Sequence, residues 1–304
     1  MVTETARRGL MAAAMLAAGL AGGACGGSKV QHPVRPGSPE GALVYQGSDG
    51  QGNSIRLLLP TGADEPLSGL AATGAVGPSF SATAGLIAFK GDRSGQPVLV
   101  LHAWRDDAER VLDVGTLWPA APALSPDGTT IAFEGTDVAA PTGLYVAPVA
   151  GGTPVLVAPT AATNAGPAWA PDGQRLYFGS NRTKQWEIFV AATDGTDPTQ
   201  VTTGSRLIGK PAVSPDGLSL AYAQAVGART SQVVVRTLAD GGERVLSSVA
   251  SESEPSFAAD GQTIAVTSTL YGQPCLVLRD VATGALLRRL TNRAGLQSAP
   301  AFAR

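Results

Sequence analysis

Pro167-Ala-Trp-Ala-Pro-Asp-Gly173, followed by the apolar run Leu176-Tyr-Phe178, is the stretch that decides the fold. Full copies lie on either side of it, as Pro122-Ala-Leu-Ser-Pro-Asp-Gly128, Pro211-Ala-Val-Ser-Pro-Asp-Gly217 and Pro255-Ser-Phe-Ala-Ala-Asp-Gly261. Shorter copies read Pro78-Ser-Phe-Ser81 and Pro300-Ala-Phe302. The anchoring prolines Pro78, Pro122, Pro167, Pro211, Pro255 and Pro300 stand 44, 45, 44, 44 and 45 residues apart. A fixed period in this range marks a propeller, in which each repeat builds one four-stranded blade.

Within one period the chemistry assigns the strands. Pro167-Ala-Trp169-Ala is a short innermost strand. Pro171-Asp172-Gly173 is a turn, since Asp accepts nearby backbone N–H groups and Gly takes a positive φ. Leu176-Tyr-Phe178 and Ile188-Phe-Val190 are the second and third strands, and Gln200-Val-Thr202 the outer one. Other repeats supply Ile87-Ala-Phe89, Ile131-Ala-Phe133, Leu220-Ala-Tyr222 and Ile264-Ala-Val266 as second strands. Such runs are nearly continuously apolar, as strands covered on both faces must be. In the second repeat Ser81-Ala-Thr-Ala-Gly85 stands where the others have Ser-Pro-Asp-Gly.

The two ends are each incomplete. The last repeat stops after one strand, and the first begins at Ala42-Leu-Val-Tyr45 with no inner strand ahead of it. Residues 299–303 are therefore expected to supply the inner strand of the N-terminal blade. The prediction is an all-β, six-bladed propeller of four-stranded antiparallel blades over residues 40–304, its ring closed by that C-terminal strand.

Bulk composition agrees. Of 304 residues only 15% are charged, with 38 Gly and 22 Pro, which suits short strands and tight turns. A net charge of −2 gives no basic field for nucleic acid. Ahead of the repeat, Arg7-Arg8 precedes the apolar run Gly9 to Ala21 and then small residues, the pattern of a secretory signal over residues 1–24. The paired arginines read as a plain basic region, with twin-arginine export as the alternative. Residues 25–39, rich in Gly, Ser and Pro, form a flexible tether.

Two resemblances add to this reading. Gly22-Gly-Ala-Cys25-Gly resembles the lipobox of bacterial lipoproteins, which implies a lipid on Cys25 and anchoring, by analogy, to the outer membrane. The family prefers an aliphatic residue where Gly22 stands, and ordinary cleavage after Ala24 is the alternative. The repeat Pro-x-aromatic-Ser-Pro-Asp-Gly-x-x-Ile-Ala-Phe resembles the propeller repeat of TolB, a WD40-like family. Tricorn protease and prolyl oligopeptidase-like enzymes share that repeat. The resemblance implies the propeller fold and an exported, periplasmic protein. TolB carries an α/β domain before its propeller, for which the residues ahead of this repeat leave no room, so the Tol–Pal role itself is not implied.

No enzyme is expected. There are two His, His32 in the tether and His102 near an apolar strand, too few for a transition-metal centre. No Gly-x-Ser-x-Gly elbow is present. Asp127, Asp172, Asp216 and Asp260 occupy one slot in different blades and read as turn residues rather than metal ligands. Phe80, Leu124, Trp169, Val213, Phe257 and Phe302 occupy matching inner-strand positions and read as core. Of two cysteines, Cys275 reads as a buried thiol.

Propellers bind partners where the channel opens. The loops there carry Arg93, Trp118, Asn181, Arg182, Lys184, Trp186, Lys210 and Arg229, with Asn164 and Glu254 nearby. Arg and Trp are favoured interface anchors, which singles out Asn181 to Trp186; a solvated loop with its Trp packed on the blade is the alternative. The expected function is a non-catalytic, monomeric scaffold that binds an envelope protein or peptide, with no cofactor. The alternative is an enzyme or a carbohydrate-binding propeller with its site at the channel mouth.

Overall fold

The computed structural model describes residues 41–48, 52–67, 73–137, 142–157 and 162–303. The signal segment, the tether with Cys25 and His32, Glu40 and Arg304 lie outside the described residues. The described chain forms six four-stranded sheets, one per repeat. Blade 2 holds Thr73–Ser81, Leu86–Arg93, Gln96–Ala103 and Glu109–Leu112. Blade 3 holds Trp118–Leu124, Thr130–Thr136, Gly143–Pro148 and Val155–Val157, and blade 4 holds Asn164–Trp169, Arg175–Ser180, Glu187–Ala192 and Thr199–Gln200. Blade 5 is Leu207–Val213, Ser219–Ala225, Ser231–Thr237 and Glu243–Val245. Blade 6 is Glu252–Phe257, Thr263–Ser268, Cys275–Asp280 and Leu286–Arg289.

Blade 1 is composite, as the incomplete ends required. Leu296–Phe302 pairs antiparallel with Leu43–Ser48, placing Phe302 opposite Leu43 and Ala301 opposite Val44. Asn53–Leu58 and Asp64–Pro66 complete the sheet. The inner strand begins three residues earlier than the sequence suggested, at Leu296 rather than Ala299.

Each inner strand is broken by a bulge. The register against the second strand shifts between Ala120 and Ala123, Ala165 and Ala168, Ile208 and Ala212, and Ser253 and Ser256. Blades 1 and 2 shift likewise. The residue before the anchoring proline is left-handed in five blades: Gly77, Ala121, Gly166, Glu254 and Ala299 have φ of 60°, 44°, 63°, 52° and 51°. In blade 5 the left-handed residue is Gly209, one position earlier, at 68°. A proline cannot donate to a ladder, so it is confined to edges and bulges. The repeated proline thus marks where the inner strand leaves its pairing and turns its backbone toward the channel.

Blades are stitched by side chains one repeat apart. Ser79 Oγ accepts the Leu124 N–H at 2.9 Å, and Ser256 Oγ accepts the Phe302 N–H at 3.1 Å. The Trp169 indole donates to the Ala123 carbonyl at 2.8 Å. All six predicted inner-strand core residues are buried, from Val213 and Phe257 at 0% exposed to Phe302 at 9%. Cys275 is buried, and burial pushes its thiol up. His102 lies within the third strand of blade 2, fully buried, with Nδ1 3.0 Å from Glu109 Oε1.

The Asp-Gly turns sit at the other end of the inner strands. Asp127, Asp172, Asp216 and Asp260 each accept the N–H of the residue two positions on, at 3.0, 2.9, 2.9 and 2.8 Å. Blade 2 keeps the turn without an aspartate. Gly85 is left-handed at φ 61°, its N–H reaches Ala82 O at 3.2 Å, and Ser81 Oγ accepts the Ala84 N–H. That turn touches the next one, since a Cβ on Gly128 would lie 2.1 Å from Ala84 Cβ.

Three outcomes follow. The Ser125 and Ser214 hydroxyls, and then the N–H two residues on, hold the Asp127 and Asp216 carboxylates below their ordinary range. A depressed folded-state value stabilises above the unfolded carboxylate range, ~pH 4, and that stabilisation is lost as pH falls through the folded value. Asp127→Ala and Asp216→Ala should each cost a few tenths to about 1 kcal/mol near neutral pH, discounted for exposure, and the deficit should vanish in acid; urea titrations across pH measure it. Phe302→Ala should cost about 3 kcal/mol in the same assay, since it empties a packed position in the closing strand. Truncation before Leu296 should abolish cooperative unfolding.

Candidate binding site at the channel mouth

Strand direction divides the molecule into two faces. Every inner strand starts at one face and ends at the other, where four of the six run into an Asp-Gly turn. The starting face therefore collects the connections between blades and the loops joining second to third strands. It is the face on which the bulges open the channel.

A cavity of about 460 Å³ occupies this mouth. Its wall includes Gly77, Ala121, Gly166, Lys210, Glu254 and Ala299, the six residues that precede the anchoring prolines. Equivalent backbone positions thus carry four small residues, one cation and one anion. Trp186, Leu207, Ile208 and Glu134 complete the lining with Ala165 and Gly209. Farther down, the channel narrows to a pocket of about 80 Å³ lined by four of the anchoring prolines, Pro167, Pro211, Pro255 and Pro300, and by Ser79, Ala123, Ala168, Ala212 and Ser256.

Both mouth carboxylates are committed to backbone. Glu134 Oε1 accepts the Gly166 N–H at 2.8 Å. Burial pushes Glu134 up, opposed by that N–H and by the charge of Lys210. Glu254 Oε2 accepts the Ala299 N–H and the Thr267 hydroxyl, each at 2.8 Å. Each acid therefore caps the left-handed residue of the next blade's bulge.

A buried acid orders the adjacent rim. Glu187, 2% exposed, accepts the Thr202 hydroxyl at 2.8 Å and the N–H groups of Gly204 and Ser205 at 2.6 and 3.1 Å. Burial raises its carboxyl, but these donors outweigh it and hold it low. The clamped connection then delivers the Leu207 N–H to the Trp186 carbonyl at 3.1 Å. Gly179 makes room beneath: a Cβ there would stand 2.7 Å from Leu207 Cδ2 and 3.4 Å from Trp186 Cε3.

The mouth side also carries most of the large exposed apolar side chains. Trp118 is 60% exposed, Trp186 36%, Ile208 41%, Val226 50%, Val249 73%, Tyr271 47% and Leu296 50%. The Asp-Gly turns contribute Leu218, and the outer strands Val155, Leu156, Val245, Leu286 and Leu287.

The structure brings Trp186 and Lys210 together on the mouth cavity. Trp118, Lys184 and Arg229 are exposed on the same face, and Arg93 is exposed where the second strand of blade 2 ends. Arg182 differs. Its guanidinium lies 4.4 Å from the Phe189 ring centroid and donates to Ser180 Oγ and Asn164 Oδ1, so it braces the loop from below. Asn181 Oδ1 accepts the Thr163 N–H at 2.9 Å, bracing the same loop. Asn164 is a buried strand residue rather than a loop residue. Sequence reasoning named Lys210 and Glu254 but missed Glu134, Ile208 and the four small residues that complete the pre-proline ring. The ring was readable, because X-Pro recurs with the period. Glu134 was not, since its slot holds Lys90, Gly179, Ala223 and Thr267 in other blades.

Among the described residues no three His, Cys, Asp or Glu side chains converge as metal ligands. No helix among them is long and apolar enough to cross a membrane.

Comparison with known proteins fits this architecture. A protein TolB homolog of Chlorobium chlorochromatii (strain CaD3) is 30% identical over 130 residues, 43% of this chain. The match spans only 29% of that relative's length. TolB from Acinetobacter baumannii superposes with a TM-score of 0.74 at 18% identity, covering 88% of this chain and 68% of that one. A putative TolB from Agrobacterium tumefaciens gives 0.68 at 17%, covering 84% and 90%. The family model for the TolB beta propeller domain matches residues 68–304, and the chain belongs to that family.

Proposed function

We propose that this protein is a non-catalytic scaffold of the bacterial cell envelope that binds a protein partner on its channel-mouth face. The observation that carries the reading is the unequal division of exposed apolar side chains between the two ends of the channel, with Trp118, Trp186, Ile208, Val226, Val249, Tyr271 and Leu296 at the mouth and Leu218 at the turns. Contiguous exposed apolar surface with a polar rim marks an interaction site, and aromatic residues dominate such contacts. The chemistry of the mouth favours binding over catalysis. Its two carboxylates accept backbone N–H groups, and apart from Lys210 its remaining lining is apolar or glycine. A closed ring with bulged inner strands is also a rigid frame, so the rim is preorganised for a partner.

Export and anchoring follow from the N-terminal segment. The basic and apolar run of residues 7–21 supports secretion, and Cys25 after small residues supports a lipid anchor in the outer membrane with the propeller in the periplasm. The propeller acts as a monomer and needs no cofactor.

Two experiments test this. A photo-crosslinking residue placed at Trp186, at Trp118, or at Leu218 on the turn face is expressed in the native cell. A partner adduct is expected from positions 186 and 118 and absent from 218. Adducts from 218 alone, or none from the mouth, would reject the binding face. Cys25→Ser should move the protein from the membrane fraction to the soluble periplasmic fraction; unchanged membrane association would reject the lipid anchor.

A further inference from the structure

We infer that the mouth face over blades 4 and 5 takes an acidic protein segment carrying an apolar side chain. This rests on the binding-face reading above and names the partner's chemistry. Three segments build the sector: residues 181–186, 201–210 and 226–230. They contain Arg182, Lys184, Arg206, Lys210 and Arg229 and no Asp or Glu. Lys184, Arg206 and Arg229 are exposed. The adjoining acids are engaged: Glu187 is buried in its own clamp, and Glu134 and Glu254, which line the mouth cavity with Lys210, accept the N–H groups of Gly166 and Ala299.

The segments are tied into one surface. Leu207 N–H reaches Trp186 O at 3.1 Å, and Ala225 N–H reaches Arg206 O at 3.2 Å. Between the cations lie the exposed Trp186, Ile208 and Val226. The pairing of exposed cations with an exposed indole suits carboxylates flanking an aliphatic or aromatic group.

The opposite face carries the opposite sign. The inner turns hold Asp127, Asp216 and Asp260, with Asp172 paired to Arg175 at 2.9 Å, and the outer turn of blade 4 adds Asp194 and Asp197. The protein's net charge is only −2, so the two faces differ far more than the total suggests. An acidic partner is repelled from the turns and steered to the mouth, which raises the rate of productive encounter. Since screening acts over ~8 Å at physiological salt, the local sector and not the net charge decides.

The test uses the mature domain and two short synthetic peptides with the same Leu and Phe residues, one interspersed with Glu and the other with Lys. Binding is read from Trp fluorescence and calorimetry across a salt series. The Glu peptide should bind, more weakly as salt rises. The triple variant Lys184→Glu, Arg206→Glu, Arg229→Glu should lose roughly tenfold or more in affinity while melting like wild type. Trp186→Ala should weaken binding and keep the salt dependence. Equal binding of the Lys peptide, binding of neither, or capture of phosphatidylglycerol vesicles in preference to the Glu peptide would each overturn the inference. A cross-linked partner meeting residue 186 through a segment without acidic residues would overturn it too, and would leave the scaffold reading standing.

Discussion

Everything in this molecule depends on the pairing of Leu296–Phe302 with Leu43–Ser48. A linear run of blades would leave the apolar strand Leu43–Ser48 without an inner neighbour and expose its backbone to other chains. With the strand in place, blade 6 gains a partner through Ser256 to Phe302 and through Glu254 to Ala299. The contacts that close the ring are those used between other blades one repeat apart, as Ser79 to Leu124 shows. Closure is therefore not a special device. It is the ordinary blade-to-blade contact applied to the two chain ends.

Function and fold meet at the residue before each anchoring proline, left-handed in every blade but the fifth. For Ala121, Glu254 and Ala299 this conformation is unfavourable by roughly 1 kcal/mol or more. It persists because the proline after it cannot pair and because a neighbouring carboxylate caps the exposed N–H at Gly166 and Ala299. The same positions line the mouth. Local strain and the binding cavity thus share one stretch of backbone, and in blade 5, where Gly209 takes the left-handed conformation, the next residue Lys210 lines the opening.

The fold was legible because its signals are periodic. One proline slot, one Asp-Gly slot and one apolar second strand recur at 44 or 45 residues, and repetition converts weak local propensities into a firm assignment. Even the aspartate-free turn of blade 2 kept its geometry, since Gly85 supplies the positive φ and Ser81 the acceptor. The site was legible only as a face. Loop position placed Trp186 and Lys210 correctly, but it could not separate Arg182, which stacks on Phe189, from Lys184, which faces solvent two residues on. That distinction depends on the aromatic rings beneath the loop and on Asn164 in the neighbouring strand. Glu134 stayed hidden because it breaks the repeat instead of following it.

Departures from the period are therefore where this chain's individuality lies. The repeated residues build a frame that many propellers share. The unrepeated ones, Lys210 and Glu254 in a ring of small residues and Trp186 above Gly179, give one mouth its own shape and charge. Glu187 shows how the two kinds of residue cooperate. Its buried carboxylate has no counterpart in the repeat's core, yet it orders the connection that carries Arg206, Ile208 and Lys210 beside Trp186. A buried charge is justified energetically only when fully satisfied, as this one is by two N–H groups and a hydroxyl. An ionised group committed so completely to shaping one loop implies that the shape of that loop, rather than the stability of the blade, is what it serves.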